Sequence, residues 1–182
     1  PPNPWLPRQA WNDQKGGNAF DAALAAAACL AVVEPMSCNM GGDGFALIWH
    51  EGKLYAKRQR PGSRSFKRRY LKTGRIHRNA QIRLGSVTVP GVTSGWAEIN
   101  KRFGKLSLSQ ILEPAASYAR DGFPVSPVVS ALWNRLAESF KKELSPEFYE
   151  AWAADFTIGG RAPRAGEIFK YKGMAETLEE LG

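Results

Sequence analysis

A stretch rich in alanine near the N-terminus constrains the fold of this chain more than any other feature. Ala22–Val33 is the longest apolar run, and its 12 residues fall well short of the roughly 20 that a membrane-spanning helix needs. Asn18 before the run is a favourable N-cap and Pro35 after it ends helices, so the sequence predicts a helix over Ala19–Val33. Because apolar side chains occupy nearly every face, we expect this helix to be fully buried.

The residues that follow this helix predict a β-hairpin. Phe45–Trp49 is a continuous apolar run, Lys53–Lys57 is a second strand, and His50–Gly52 between them is a short loop. A continuous apolar strand favours burial on both faces, as in a layered sandwich. Three glycines allow the chain to turn tightly into the first strand, and we interpret them as structural: Gly41, Gly42 and Gly44.

The second half of the chain is predicted to be mostly helical. Capping boxes, Ser-Pro pairs and terminating glycines predict helices at Ser94–Phe103, from Ser107 to Asp121, after Ser126-Pro127, after Ser145-Pro146 and from Gly173 onward. A short strand is predicted at Ser86–Val89, and Thr157–Gly173 is predicted to be a loop.

These elements predict one incomplete α+β domain over residues 1–182. Four prolines in the first ten residues predict that residues 1–15 are extended. The chain starts with Pro1 rather than Met, and its last helix has no clear stop signal. We therefore expect the chain to be part of a larger protein.

The positive charge of the chain is confined to one window. The formal net charge is +8, yet the residues between Gly52 and Ala97 hold 12 Lys and Arg and no Asp or Glu. The remaining residues hold 13 basic and 17 acidic side chains, a net charge of −4. A local basic segment is typical of a solvated face or of a surface that contacts an acidic part of the same protein. Binding of RNA or of an acidic partner stays an alternative, although nucleic acid is the weaker one.

The sequence holds no complete catalytic constellation. The only histidines, His50 and His77, lie far apart, and no Cys-x-x-Cys pair is present to hold zinc. Cys29 lies inside the predicted helix as a packing residue, and Cys38 has no histidine near it in sequence. We therefore predict no metal site, no cofactor site and no catalytic residue within this chain.

Several segments together resemble the start of a gamma-glutamyltranspeptidase large subunit. Their order and approximate spacing match that family from Gly16 to the C-terminus. The segments are Gly16–Ala23, Val32–Ser37, Met40–Trp49, Gly85–Gly91, Arg102–Leu106, Glu113–Ala115 and Gly122–Ser126.

The resemblance implies a specific fold and chemistry. The family are N-terminal-nucleophile hydrolases with an αββα sandwich, of which this chain would be a helix-rich part with a few strands. A precursor cuts itself into a large and a small subunit, and the freed N-terminal Thr of the small subunit attacks the γ-glutamyl amide of glutathione-like substrates. Water or an amine then accepts the γ-glutamyl group, without a metal or organic cofactor. The nucleophile would therefore lie outside this chain, in the small subunit of the same precursor.

The resemblance also implies one substrate-binding residue, Arg64. The family places an Arg shortly after the hairpin, where it binds the α-carboxylate of the γ-glutamyl group. A guanidinium suits this task because it holds a carboxylate with two parallel hydrogen bonds. Many members have Gly-x-Gly-Arg-Ala-Pro there, whereas this chain has Ser65 and Phe66 after Arg64. Four other arginines are close rivals for the role: Arg58, Arg60, Arg68 and Arg69.

Two further hypotheses stay open beside this one. A related amidase, of the cephalosporin-acylase or poly-γ-glutamate-transpeptidase type, would keep the fold and change the substrate. A non-catalytic basic module would instead bind RNA or an acidic protein. Because the two subunits of the family share the central sheets, the resemblance also predicts exposed apolar sheet edges and poor solubility for this chain when it is alone.

Overall fold

The structure is a computed structural model that describes residues 16–37, 39–59 and 90–182. The predicted extended stretch at residues 1–15, Cys38 and the predicted strand at Ser86–Val89 lie outside the described residues. The chain divides into two compact units, one comprising Pro1–Asn39 and Asn100–Gly182 and the other Met40–Ile99. The prediction of a single incomplete domain stays a prediction.

The described residues form six helices and four strands. The helices are α1 (Ala19–Val33), α2 (Val92–Phe103), α3 (Leu108–Asp121), α4 (Pro127–Glu143), α5 (Pro146–Phe156) and α6 (Lys172–Leu181). The strands are β1 (Gly44–His50), β2 (Lys53–Gln59), β3 (Phe123–Pro124) and β4 (Ile168–Phe169). The predicted helices and the predicted hairpin are confirmed, and α1 has the predicted bounds. None of the helices in the described ranges combines the length and the apolar character needed to cross a membrane.

The core of the first unit is built around α3. This helix packs against both α1 and α6. Small side chains such as Ala28 of α1 and Ala115 of α3 are fully buried, which lets the helix backbones approach closely. Ile111 and Leu178 fill the remaining space as fully buried side chains. Alanine-rich packing of this kind explains why the apolar run in α1 is composed mainly of small residues.

The prediction that α1 is fully buried is wrong. Its buried residues, among them Leu24, Ala28 and Val32, form one stripe at helical spacing. Ala23 is exposed on another face, and Leu30 retains 44% of its accessible surface. The helix thus buries one face, while much of the rest of its apolar surface is in contact with solvent.

A buried carboxylate fixes the start of α1 to the chain between α2 and α3. Asp21 is fully buried, and its Oδ2 accepts hydrogen bonds from the backbone N–H groups of Asn18 (2.9 Å), Lys105 (3.1 Å) and Leu106 (3.4 Å). Its Oδ1 accepts a further bond from the N–H of Lys105 (3.2 Å). A Cβ atom at Gly104 would lie 2.7 Å from that same oxygen, which explains the glycine.

The predicted N-cap Asn18 contributes to the same connection. Its side-chain oxygen accepts hydrogen bonds from the N–H groups of Phe20 and Asp21, which completes a capping box with Asp21. Its Nδ2 donates to the carbonyl of Phe103 (2.6 Å) at the end of α2. The rings of Phe20 and Phe103 also lie 5.0 Å apart between centroids. Asn18 and Asp21 therefore join elements that are more than 80 residues apart in sequence.

A second cluster of the first unit is aromatic and includes β3 and β4. Trp133 of α4 is fully buried, packs edge-on against Phe169 of β4 and donates from Nε1 to the carbonyl of Phe156 (2.9 Å). Phe156 also stacks on Trp152 along α5. Strands β3 and β4 pair antiparallel, with Phe123 opposite Phe169. The prediction of a loop over Thr157–Gly173 is therefore wrong in part, because β4 and an Ile158–Arg161 bridge lie within it.

The second unit contains the β1–β2 hairpin. The strands pair antiparallel with His50 opposite Lys53, so Glu51 and Gly52 form a two-residue turn. Both turn residues have positive φ angles of 49° and 74°, as tight hairpin turns require.

The prediction that β1 is buried on both faces is wrong for the described residues. Burial alternates along the strand, and Phe45, Leu47 and Trp49 retain 70–77% of their accessible surface. Leu54, opposite Trp49, is 64% exposed on the same face. The described residues of this unit contain no second sheet that could cover this face. The apolar edges and the poor solubility predicted for the isolated chain stay predictions.

Asp21→Asn is expected to lower the free energy of unfolding by about 2–4 kcal/mol. Both carboxylate oxygens accept from backbone N–H groups, so an amide would place an NH2 group against one of these donors. Urea denaturation followed by circular dichroism measures the change. Asp155→Asn on the exposed side of α5 is the matched control and should leave stability within about 0.5 kcal/mol. Equal effects of the two substitutions would contradict the role of Asp21.

Gly122→Ala is expected to destabilise the chain by more than Gly160→Ala. Both glycines have positive φ angles, 100° and 80°, so each substitution carries backbone strain of about 1–3 kcal/mol. A Cβ atom at Gly122 would additionally lie 2.5 Å from the Ile168 side chain and 3.2 Å from the Phe169 carbonyl, whereas Gly160 faces open space. Thermal melting of both variants tests this order, and a larger loss for Gly160→Ala would contradict it.

Candidate functional site

The glycine turn before β1 contacts the start of α2. The carbonyl of Gly42 accepts hydrogen bonds from the N–H groups of Gly91 (2.9 Å) and Val92 (3.2 Å). A Cβ atom at Gly44 would lie 3.1 Å from the Val92 side chain, a contact tighter than most real ones. These contacts support the structural interpretation of Gly42 and Gly44, which hold the hairpin against the first turn of α2 within the second unit.

The predicted substrate-binding residue Arg64 lies outside the described residues. The same is true of three of its rivals, Arg60, Arg68 and Arg69, and of most of the basic window. Arg58 lies on β2, where its backbone is opposite Phe45. The assignment of Arg64 therefore stays a prediction.

The described residues hold no group of three or more His, Cys, Asp or Glu side chains that could bind a metal ion. His50 lies at the end of β1 with Nε2 3.8 Å from the Glu51 carboxylate; the His50 side chain is partly buried and that of Glu51 is exposed. Cys29 is partly buried in α1. His77 and Cys38 lie outside the described residues.

An arginine that the sequence analysis did not single out lies in the family's Gly-Arg-Ala-Pro context. The tetrapeptide Gly160–Pro163 has this sequence and contains Arg161. In the structure, Arg161 donates two hydrogen bonds to the carboxylate of Glu167, at 2.8 and 2.7 Å. Because both parallel donors of the guanidinium are used in this bidentate pair, Arg161 stabilises the loop between α5 and β4 rather than binding a ligand.

The same carboxylate is held by a third donor. The backbone N–H of Arg164 donates to Glu167 at 2.8 Å, in addition to the two bonds from Arg161. These charge-assisted and backbone hydrogen bonds lower the pKa of Glu167 from near 4.5 to about 2. The lowered pKa means that the folded state favours the ionised carboxylate, which links the stability of this loop to pH.

Known structures define the class of fold to which this arrangement belongs. The chain is similar to cephalosporin acylase from Bacillus halodurans, with a TM-score of 0.83 and 37% identity over 95% of this chain and 33% of that chain. It is also similar to the gamma-glutamyltranspeptidase from Pseudomonas nitroreducens in complex with L-DON, with a TM-score of 0.74 and 29% identity over 100% of this chain and 52% of that chain. The predicted fold class, a partial N-terminal-nucleophile hydrolase sandwich rich in helices, is confirmed.

The sequence comparisons identify the family within that class. The sequence model described as Gamma-glutamyltranspeptidase matches residues 14–182, and the chain belongs to this family. The chain is 40% identical over 178 residues to the glutathione hydrolase-like YwrD proenzyme of Bacillus subtilis (strain 168). The aligned region covers 96% of this chain and 33% of that protein. The chain thus spans about a third of the length of this curated relative. The predicted resemblance is confirmed.

Acid titration is expected to show an anomalous Glu167. Its folded-state pKa lies below its ordinary value, so its stabilising contribution is present above about pH 4.5 and is lost as the pH falls toward 2. Carboxyl NMR should give a midpoint near 2 for Glu167, and Arg161→Gln should raise it part of the way to 4.5 because the Arg164 N–H remains. Lys172→Gln, which removes an exposed cation that pairs with Glu176, is the control variant and should leave the Glu167 midpoint unchanged. A Glu167 midpoint unaffected by Arg161→Gln would contradict the pairing.

Proposed function

We propose that this chain is the N-terminal part of the large subunit of a gamma-glutamyltransferase or glutathione hydrolase. The enzyme moves a γ-glutamyl group from a glutathione-like donor to water or an amine through a threonine acyl-enzyme. The observation that carries this proposal is the family match over residues 14–182. It favours the enzyme over the alternative of a basic module that binds RNA or an acidic protein.

The nucleophilic threonine lies outside this chain, in the small subunit of the same precursor. Support comes from two of the three described threonines, Thr157 and Thr177, whose hydroxyls donate to backbone carbonyls. Thr157 donates to the carbonyl of Ala153 at 2.7 Å, and Thr177 donates to the carbonyl of Gly173 at 2.8 Å. In both cases the hydroxyl donates to the carbonyl four residues earlier in the chain, which is a local structural contact. The name of the Bacillus subtilis relative, a proenzyme, also supports a precursor that is processed.

The exposed face of the hairpin supports a partner for this chain. Phe45, Leu47, Trp49 and Leu54 form an apolar surface of aromatic and branched side chains. Surfaces of this kind are expensive to leave in water, since burying one such side chain is worth about 1.5–3 kcal/mol. The small subunit of the precursor would cover this face and complete the sandwich.

Arg64 binds the α-carboxylate of the γ-glutamyl donor in this proposal. A carboxylate accepts two parallel hydrogen bonds from a guanidinium, and this geometry fixes both the position and the orientation of the donor. Lysine supplies a point charge without the fork, so it would hold the carboxylate less well.

Arg64→Lys in the complete enzyme is expected to raise KM for a γ-glutamyl anilide by at least about tenfold, since charge-assisted hydrogen bonds are worth roughly 1.5–3 kcal/mol. Self-cleavage should be unaffected, because it does not involve a substrate carboxylate. Steady-state kinetics and the appearance of the two subunits on gels measure the two effects. Arg69→Lys is the matched control from the same basic window. Unchanged kinetics for Arg64→Lys, or an equal effect of Arg69→Lys, would contradict the assignment.

A related amidase is the second candidate, and the similarity to cephalosporin acylase favours it. The Ser65-Phe66 context of Arg64 also departs from the family pattern. A glutaryl anilide separates the two because it keeps the carboxylate of the γ-glutamyl compound and lacks only its α-amino group. Preference for the glutaryl compound over the γ-glutamyl compound would favour the amidase.

The isolated 182-residue chain is expected to hydrolyse neither anilide. Without the nucleophile, the barrier to acyl transfer is not lowered by a covalent intermediate. Assays of the purified chain, and of the chain combined with the remainder of the precursor, measure the difference. Turnover by the chain alone would show that the nucleophile lies within it and would overturn this part of the proposal.

A further inference from the structure

We draw no further inference here: the strongest candidate, the exposed apolar face of the β1–β2 hairpin formed by Phe45, Leu47, Trp49 and Leu54, restates the sheet packing that the family's layered fold already implies, and nothing in the described part of the structure shows another occupant that covers it.

Discussion

The buried carboxylate of Asp21 is the interaction on which the first unit depends. It lies in the first turn of α1 and accepts hydrogen bonds from Lys105 and Leu106, in the short connection between α2 and α3. Each buried N–H group without a partner would destabilise the fold by about 1–3 kcal/mol, so this connection needs an acceptor from elsewhere in the chain. Only glycine fits at position 104, because a Cβ atom there would lie 2.7 Å from Oδ1 of Asp21. With this connection fixed, α3 can pack against α1 and α6 to form the core.

Most helix boundaries could be predicted because their signals are local. Ser107 and Ser126 each accept a hydrogen bond from the N–H group three residues on, which the Ser-x-x-Gln and Ser-Pro patterns predict. The distant partners of Asp21 have no such signal, since a first-turn acidic residue is also favourable to any helix dipole. The β3–β4 pair could not be predicted from the sequence either, because two residues per strand are too few to show an alternating pattern.

The apolar strand β1 shows how composition and local environment can diverge. A run without polar residues predicts burial on both faces, yet Leu47 and Trp49 are exposed in the described structure. Amino-acid composition reflects the complete fold in which a strand has been selected, whereas exposure depends on which layers are present. On the proposed function, the remainder of the precursor supplies the covering layer, and the apolar residues of β1 suit burial beneath it.

The candidate site depends on which arginine is available to a substrate, and two arginines have different claims to this role. Arg161 has the family's Gly-Arg-Ala-Pro context, but Glu167 lies six residues away and occupies its guanidinium. Arg64 has the less typical context, but no Asp or Glu lies between Gly52 and Ala97. A carboxylate in the same segment competes with a substrate for the two parallel donors of a guanidinium, as Glu167 does at Arg161. The basic window contains no acidic residue that could compete in this way, and on the proposed function this favours an arginine of the window over Arg161.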